Sequence, residues 1–249
     1  MSIIALYHVK GGVGKTAAAV NLSYLASQER HPVLLMDLDP QGSASFYFRV
    51  RPSRGQQAKK LIKGKQAVDA GLRGTDYDRL DALPADMSYR NMDIVLKSVK
   101  KSKSRLKDLI LPFNKEYRWI FLDSPPNITI VSENIFDAAD VVLIPVIPTT
   151  LSVIAYEKLW SFFHEKNLDS SKLVAFYSMV EQRKKMHTEI VAQRHPEERK
   201  FLRTFIPYSV DVEKMGYHRE PVARYAPRSK AAKAYDRLWE ELKSHILRR

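Results

Sequence analysis

Short apolar runs alternate along the chain with longer stretches in which apolar residues recur every three or four positions. The first run, Ile3–Val9, precedes a glycine-rich segment and then a stretch of helical spacing. The second run, Pro32–Asp37, is almost continuously apolar, which is typical of a strand covered on both faces. Six further runs also predict strands: Leu80–Leu83, Met92–Leu96, Trp119–Asp123, Val141–Pro145, Lys172–Tyr177 and Phe201–Ile206.

Helical spacing occupies most of the chain between these runs. The helical patterns include Val131–Ala138, Leu151–Glu165, Arg183–Arg194 and Lys230–Leu247. Strands that alternate with helices predict an α/β fold of three layers, in which a doubly wound, mostly parallel sheet carries helices on both faces. Since neither a repeat nor a low-complexity linker divides the chain, we expect residues 1–249 to form a single domain.

The composition narrows the classes of protein to consider. The chain has 249 residues and no cysteine, which excludes disulfides, thiolate metal sites and cysteine-held iron–sulfur clusters. No apolar run approaches the roughly 20 residues that a membrane-spanning helix needs. The start of the chain also lacks the pattern of a signal peptide, so we expect a cytoplasmic protein.

Basic residues outnumber acidic ones by a wide margin. The formal net charge of +13 predicts a polyanionic partner, either nucleic acid or an anionic membrane, although solubility alone would also account for it. Two segments are especially basic, Arg49–Lys65 and Lys97–Lys107. Strand-like runs flank both, so neither is predicted to be a domain boundary, and the second is also consistent with a surface helix.

The glycine-rich segment lies between a predicted strand and a predicted helix, as a phosphate-binding loop does. Gly11, Gly12 and Gly14 let backbone N–H groups approach a phosphate closely. In this pattern Lys15 would pair with the β- and γ-phosphate oxygens, and the Thr16 hydroxyl would be a Mg²⁺ ligand. The alternative is a glycine-rich turn that merely precedes a helix.

The start of this loop resembles a particular family. The usual pattern opens with glycine, where this chain has Val9, and a lysine, Lys10, follows it. Lys-Gly-Gly-Val-Gly-Lys-Thr at 10–16 therefore resembles the deviant Walker A motif of the ParA/MinD superfamily of P-loop ATPases. The resemblance implies a Mg²⁺-dependent ATPase in which Lys10 reaches across an ATP-bridged homodimer. The implied nucleotide-binding residues are Lys10, Gly11, Gly12, Val13, Gly14, Lys15, Thr16 and Ala17.

Two carboxylate segments fit the same chemistry. Asp37 and Asp39 follow the second predicted strand, where acidic groups near phosphate serve as metal ligands or orient water. Asp123 ends an apolar strand, as a magnesium-binding Walker B aspartate does. A plain turn and a strand-end cap are the alternatives. Asp-x-Asp-Pro-Gln-Gly and Asp-x-Pro-Pro resemble the family's two switch motifs. The resemblance implies that Asp39 positions the attacking water and that Asp37 and Asp123, with Thr16, support the metal.

The resemblance extends over nearly the whole chain, with some departures. Ile206-Pro207 resembles the family's strand end near the adenine base, so Pro207 is a predicted nucleotide contact. Val141–Leu151 and Glu220–Lys233 also resemble family segments. Ala17 stands where the family often has a second hydroxyl residue, which implies one phosphate contact fewer. Tyr7-His8-Val9 differs from the family's usual polar residues.

The function that the resemblance implies is positioning of a cargo on DNA. An ATP-dependent dimer would bind nucleoid DNA non-specifically, and a ParB-like activator or cargo adaptor would stimulate slow hydrolysis. The cargo would be a plasmid, a chromosome or a protein complex. No helix-turn-helix region precedes the loop, so operator-specific binding is not expected. The candidate DNA contacts are Arg183, Lys184, Lys185, Arg219, Arg224, Arg228, Lys230 and Lys233.

A MinD-like ATPase that associates with a membrane is the alternative. Lys230–Leu247 carries an apolar stripe with Trp239 beside it, which could anchor an interfacial helix. We expect the stripe to pack against the sheet instead, so a membrane partner is not favoured. An inactive nucleotide-binding scaffold is a further alternative, whereas a reductase of the nitrogenase iron-protein type would need the missing cysteines.

Overall fold

The computed structural model describes residues 1–55, 57–99, 102–193 and 200–248. Eight strands in these ranges form one sheet. They are β1 Ser2–Leu6, β2 Val33–Asp37, β3 Arg73–Gly74, β4 Leu80–Leu83, β5 Trp119–Asp123, β6 Val141–Val146, β7 Leu173–Tyr177 and β8 Lys200–Phe201. The helices are α1 Lys15–Gln28, α2 Ser43–Tyr47, α3 Ala58–Leu61, α4 Lys65–Gly71, α5 Met92–Lys97, α6 Arg105–Ile110, α7 Ile130–Ala138, α8 Thr150–Glu165, α9 Lys185–Ala192, α10 Val210–Glu213, α11 Met215–His218, α12 Val222–Tyr225 and α13 Lys230–Leu247.

The sheet order is β3-β4-β2-β5-β1-β6-β7-β8, and only the β3–β4 pair is antiparallel. Strands β2 to β4 lie on one side of the central β1, and β6 to β8 lie on the other. Strand β5 lies between β1 and β2. Chains wound outward in both directions in this way place their ligands at the carboxyl ends of the central strands.

The sheet separates two hydrophobic layers, as the apolar strands predict. In β1, Ile3 and Ala5 point into one layer, whereas Ile4 and Leu6 point into the other. The first layer contains apolar residues of α3 to α8, and the second contains those of α1, α2 and α11 to α13. The predicted three-layer, doubly wound α/β fold is therefore confirmed.

Some predicted elements were wrong or had wrong bounds. Met92–Leu96 was predicted as a strand but forms helix α5. Of the strand predicted for Phe201–Ile206, only Phe201 lies in β8, and the rest leads to an isolated bridge between Val180 and Pro207. Helix α9 is shorter than the predicted Arg183–Arg194, whose last residue lies outside the described ranges, as do Lys100 and Lys101 of the second basic segment.

Helix α13 packs its apolar stripe against the sheet. Leu238 and Leu242 are fully buried, and Trp239 is 1% exposed, with its indole N–H donating to Glu29 Oε1 at 2.7 Å. A side chain held in this way cannot insert into a membrane surface, so the stripe gives no support to the membrane alternative. Among the described residues, no helix is both long enough and apolar enough to cross a bilayer.

Candidate active site

The carboxyl ends of β1, β2 and β5 lie in register at the centre of the sheet. Asp123 pairs with Leu6 on one side and with Asp37 on the other. The glycine-rich loop begins just after β1, so its lysines and the two aspartates meet at one edge of the sheet. Parallel pairing therefore assembles side chains from three separate parts of the chain.

The glycine-rich loop turns directly into helix α1. Gly12 and Gly14 have φ angles of 72° and 95°, in the left-handed region that glycine adopts without strain. A Cβ atom on Gly14 would lie 2.9 Å from the Ser178 hydroxyl oxygen. Gly14 is the N-cap of α1, and no side chain caps the helix there. The first backbone N–H groups of α1 therefore remain available to an anion, with the positive end of the helix dipole behind them.

The two lysines of the loop occupy different environments. Lys15 is only 7% exposed, and its ammonium group donates to the Lys10 carbonyl oxygen at 3.0 Å. Burial lowers the pKa of Lys15, whereas the charges of Asp123 and Asp39 raise it. A buried ammonium group at the mouth of the loop is an unfavourable charge that a phosphate group would neutralise. Lys10 is only partly buried.

His8 supports the loop from inside the protein. Its Nδ1 atom accepts a hydrogen bond from the Lys10 backbone N–H at 2.9 Å, and the ring is 1% exposed. Burial, followed by the charges of Lys15 and Lys10, lowers the pKa of His8 to about 4. The ring is therefore neutral at physiological pH and acts as an acceptor. Sequence reasoning noted His8 only as a departure and gave it no role.

Asp37 is a buried carboxylate with hydrogen-bond partners on only one of its two oxygens. Its Oδ2 atom accepts hydrogen bonds from the Ser45 N–H at 2.8 Å and from the Ser45 hydroxyl at 2.6 Å. Its Oδ1 atom is buried without a hydrogen-bond partner. Burial raises the pKa of Asp37 to about 6, and the negative charge of Asp39 adds to the rise.

Asp123 is the least satisfied of the three carboxylates. The residue is fully buried, and neither carboxylate oxygen has a hydrogen-bond partner. Burial, followed by the charge of Asp37, raises the pKa of Asp123 well above its ordinary value, while nearby Thr16 and Lys15 lower it. Three buried, unpartnered oxygens on Asp37 and Asp123 fit a site for a hard cation, since oxygen ligands are what Mg²⁺ prefers.

Two carboxylates would not hold a metal ion by themselves. The described residues contain no group of three or more His, Cys, Asp or Glu side chains placed to do so. Magnesium in nucleotide sites is bound through one or two carboxylates and completes its shell with water and phosphate oxygens. The donor set here therefore fits magnesium only together with a nucleotide.

Asp39 is more accessible than the other two carboxylates. Its Oδ1 atom accepts a hydrogen bond from the Gln41 N–H at 3.0 Å, in a turn that holds the side chain near the loop. The residue is partly buried, so a water molecule can reach it. Its charge acts on both Asp37 and Lys15, which places it within the same electrostatic network.

A cavity of about 120 Å³ opens beside the loop. Gly14, Ala17 and Pro207 line it, so two of the predicted loop residues and the predicted base contact come together. Ile206, Tyr208 and Ser209, from the same segment as Pro207, also line it, whereas sequence reasoning missed the residues that complete the wall: Ser178, Met179, Val212, Glu213 and Tyr235. The segment that begins with Ile206-Pro207 gave the signal that this part of the chain returns to the loop.

The predicted DNA contacts between β7 and α9 are partly engaged within the protein. Lys184 pairs with Glu181, and Lys185 lies 3.6 Å from Glu189, while Arg183 is exposed.

The predicted contacts in the tail fall into two groups. The guanidinium group of Arg219 lies 4.4 Å from the centre of the Phe46 ring and donates to the Phe46 carbonyl oxygen at 3.0 Å. Arg224 lies 5.8 Å from the centre of the Tyr77 ring. The remaining residues of the group, Arg228, Lys230 and Lys233, are exposed at the beginning of α13.

Comparison with known proteins assigns the chain to a family. Residues 1–173 match the protein-family model described as AAA domain. The chain is 28% identical to the sporulation initiation inhibitor protein Soj of Bacillus subtilis, over 96% of this chain and 97% of Soj. It is 27% identical to a ParA family protein of Chlamydia muridarum, over 97% of each chain.

A solved structure shares the fold. A plasmid partition protein from Borrelia burgdorferi bound to AMPPNP superimposes with a TM-score of 0.83 at 21% identity, over 98% of this chain and 99% of that protein. The family match covers more than half of the chain, and the loop and both switch motifs lie within it. The chain belongs to the AAA domain family and to the ParA/MinD superfamily of P-loop ATPases.

Proposed function

We propose that this protein binds Mg-ATP at the glycine-rich loop and uses its hydrolysis to control a homodimer that positions cargo on DNA. The observation that carries the proposal is the set of three buried, unpartnered carboxylate oxygens on Asp37 and Asp123 beside the buried ammonium group of Lys15. Each of these groups is costly to bury alone, and together they match magnesium and a triphosphate in charge and chemistry.

Each residue has a distinct role in this proposal. The backbone N–H groups from Gly11 to Ala17 would bind phosphate oxygens, and Lys15 would neutralise the β- and γ-phosphates. Thr16, Asp37 and Asp123 would hold the magnesium ion, which supplies positive charge against the phosphates. Asp39 would orient the attacking water by accepting one of its hydrogen bonds. Pro207 and the adjoining cavity would receive the base.

Two features support a homodimer formed across this edge. Lys10 is only partly buried and begins a loop that is exposed to solvent at Gly11 and Gly12. Three apolar side chains near the same edge are exposed: Ile128, Leu151 and Ile154. Apolar residues grouped near a site are typical of a surface that a partner covers. In the dimer, Lys10 would reach the phosphates bound by the other subunit.

The dimer would bind DNA without sequence preference, through the phosphate backbone. Arg228, Lys230 and Lys233 support this part of the proposal, because exposed cations gathered at the positive end of α13 repel one another until an anion binds. The protein would thus associate with the nucleoid in the cytoplasm. A ParB-like activator or adaptor would stimulate hydrolysis and thereby release the dimer from DNA.

The test measures retention of the full chain on plasmid DNA with Mg-ATP, with ADP and without nucleotide. Lys15→Ala and Lys10→Ala should remove the ATP-dependent part of the retention, whereas Lys158→Ala, at an exposed position of α8, should leave it intact. Asp39→Ala should retain ATP and stay on DNA, because only the water-positioning group is lost. If both loop variants still showed full ATP-dependent retention, the proposal would be wrong.

A further inference from the structure

Two short segments hold the whole positive excess of the chain. Arg49–Lys65 contains seven basic residues and Lys97–Lys107 contains six, and neither contains an aspartate or a glutamate. Taking these thirteen from the 41 lysines and arginines leaves 28, which equals the 28 aspartates and glutamates. The rest of the chain, including the tail, is therefore neutral as a whole.

The fold brings the two segments together. Arg105 of the second segment donates from Nε to the Ile62 carbonyl oxygen at 2.8 Å and from Nη2 to the Lys63 carbonyl oxygen at 3.0 Å. Beneath this contact, Leu61 and Ile62 line the same small apolar cavity as Leu96 and Leu106. Val50 packs in the opposite layer, and the adjacent Arg49 pairs with Asp76 and Glu220. Leu61, Ile62 and Leu106 instead belong to the layer of α3 to α8, and the exposed lysines beside them lie on its outer side.

We name five exposed lysines of the two segments the basic surface. Lys59, Lys60 and Lys63 of the first segment are exposed, as are Lys97 and Lys107 of the second. None of these five lysines has an ion-pair partner among the described residues. Lys65 and Lys103, by contrast, pair with Glu116 and Glu133.

The basic surface lies on the opposite face of the sheet from the tail. Leu61, Ile62 and Leu106 belong to the hydrophobic layer of α3 to α8. The apolar residues of α13 belong to the other layer. The basic surface is consequently separate from Arg228, Lys230 and Lys233, and a ligand bound there would not occupy the tail.

The composition of the basic surface favours a phosphate backbone as its ligand. Neither segment contains an aromatic residue, so neither can stack unpaired bases or supply the aromatic anchors common in protein interfaces. Their large apolar side chains, Leu61, Ile62 and Leu106, are buried, so they cannot insert into a bilayer. A surface that offers lysines but no side chain for stacking or for insertion suits duplex DNA. Lysine binds the backbone phosphates of duplex DNA irrespective of sequence.

We infer that the basic surface is a second DNA-binding site that acts on backbone phosphates and does not require nucleotide. This inference deepens the proposed function, because it names a contact for the same class of ligand, but it does not depend on the ATP switch. The surface is complete in a single subunit, so binding should be measurable without dimerisation. Dimerisation would then join two such surfaces and strengthen the hold on DNA by avidity.

The test measures binding of the nucleotide-free full chain to a short duplex DNA over a range of salt concentrations. The Lys59→Ala/Lys60→Ala/Lys63→Ala variant should bind about tenfold or more weakly at low salt. Its slope of log K against log salt should fall by up to about 2.7, at roughly 0.9 for each lost phosphate contact. Lys97→Ala/Lys107→Ala should weaken binding in the same direction.

A control matches the lost charge. Lys158→Ala/Lys166→Ala/Lys214→Ala removes three exposed lysines from other surfaces and should leave the affinity and the slope within error of the wild type. An equal loss in both triple variants would overturn the inference, because net charge alone would then explain binding. Binding to anionic vesicles that the basic-surface variants abolish, with no change on DNA, would also overturn it.

The same variants separate this inference from the proposed function. Lys15→Ala should keep the nucleotide-free binding of the wild type while losing ATP-dependent retention. Nucleotide-free binding that is absent in the wild type would refute the basic surface and leave the ATP switch intact. Normal nucleotide-free binding that ATP does not change would refute the ATP switch and leave the basic surface intact. Thermal unfolding of each variant checks that it folds.

Discussion

Gly14 shows how one backbone angle can hold the loop in shape. Its φ of 95° is strained for any residue with a Cβ atom, and that atom would meet the Ser178 hydroxyl at 2.9 Å. We expect Gly14→Ala to lower the free energy of unfolding by about 1–3 kcal/mol. Gly11→Ala is the matched control, because a Cβ there meets nothing within 4 Å. Its effect should stay within about 0.5 kcal/mol in denaturant titrations without nucleotide. Equal effects would contradict this account of the loop.

His8 should make stability depend on pH in the acid range. Its native pKa of about 4 lies below the ordinary value of 6.5. Between pH 4 and 6.5, the ring is therefore protonated in the unfolded chain and neutral in the native protein. Stability should therefore be intact above pH 6.5 and fall as the pH drops towards 4, by up to about 3 kcal/mol.

The comparison protein for His8 is His8→Asn. An asparagine side chain can still accept the hydrogen bond from the Lys10 N–H but does not titrate. The raised pKa of Asp37 acts with the opposite sign, but it is common to both proteins and cancels in the difference. The wild type should lose more stability than His8→Asn between pH 7 and 4 in urea titrations. Parallel pH profiles would show that the ring does not carry this effect.

The residues at the site were predictable to different degrees. Lys15, Asp37 and Asp123 each stand at the end of an apolar run or beside glycines, so local pattern alone singled them out. Ser45 and Met179 were not predictable. Their roles arise when the chain folds back, Ser45 onto Asp37 and Met179 onto the cavity beside Ala17. Contacts of that kind leave no periodic signal in a single sequence.

At the level of elements, α5 shows why a short apolar run is ambiguous. A strand would bury alternate residues, whereas α5 buries Met92, Val95 and Leu96 at helical spacing and leaves Ile94 70% exposed. Five apolar or mixed residues do not distinguish the two patterns. The longer helices α8 and α13 cover four or more turns, so their periodicity was sufficient.

This difference within α5 gives a direct test of the packing. Leu96→Ala should lower the free energy of unfolding by about 2–4 kcal/mol, since Leu96 is 3% exposed and already borders a cavity. Ile94→Ala on the same helix should cost less than about 0.5 kcal/mol. Urea titrations measure both. A larger loss for Ile94→Ala would mean that the segment adopts the alternation of a strand.

For the whole molecule, topology matters more than any single motif. The sheet order places β5 between β1 and β2, so residues more than eighty positions apart become neighbours at one edge. Alternating elements and right-handed parallel connections make this arrangement foreseeable. The contact between the two basic segments was not foreseeable, because it depends on Arg105 reaching the carbonyl groups of Ile62 and Lys63.

The two buried carboxylates at this edge also imply that the site lowers the stability of the nucleotide-free protein. Asp123 is buried beside Asp37, and neither of its oxygens has a hydrogen-bond partner; burial and the charge of Asp37 raise its pKa more than nearby Thr16 and Lys15 lower it, so the ionised carboxylate disfavours the nucleotide-free fold. We expect Asp123→Asn to raise the free energy of unfolding of the nucleotide-free protein at pH 8 by about 1 kcal/mol or more.

The same substitution should remove the stabilisation that depends on magnesium. Wild-type protein should gain about 2.7 kcal/mol when Mg-ATP is present at a hundredfold its Kd, and most of the magnesium-dependent part should vanish in Asp123→Asn. Asp140→Asn is the control, because Asp140 already accepts a hydrogen bond from the Ile3 N–H at 2.8 Å and should give no gain in stability. Thermal and urea unfolding with ATP, with and without magnesium, separate the two contributions. A less stable nucleotide-free Asp123→Asn protein, or one that keeps the full response to magnesium, would show that Asp123 belongs to the core and not to the metal site.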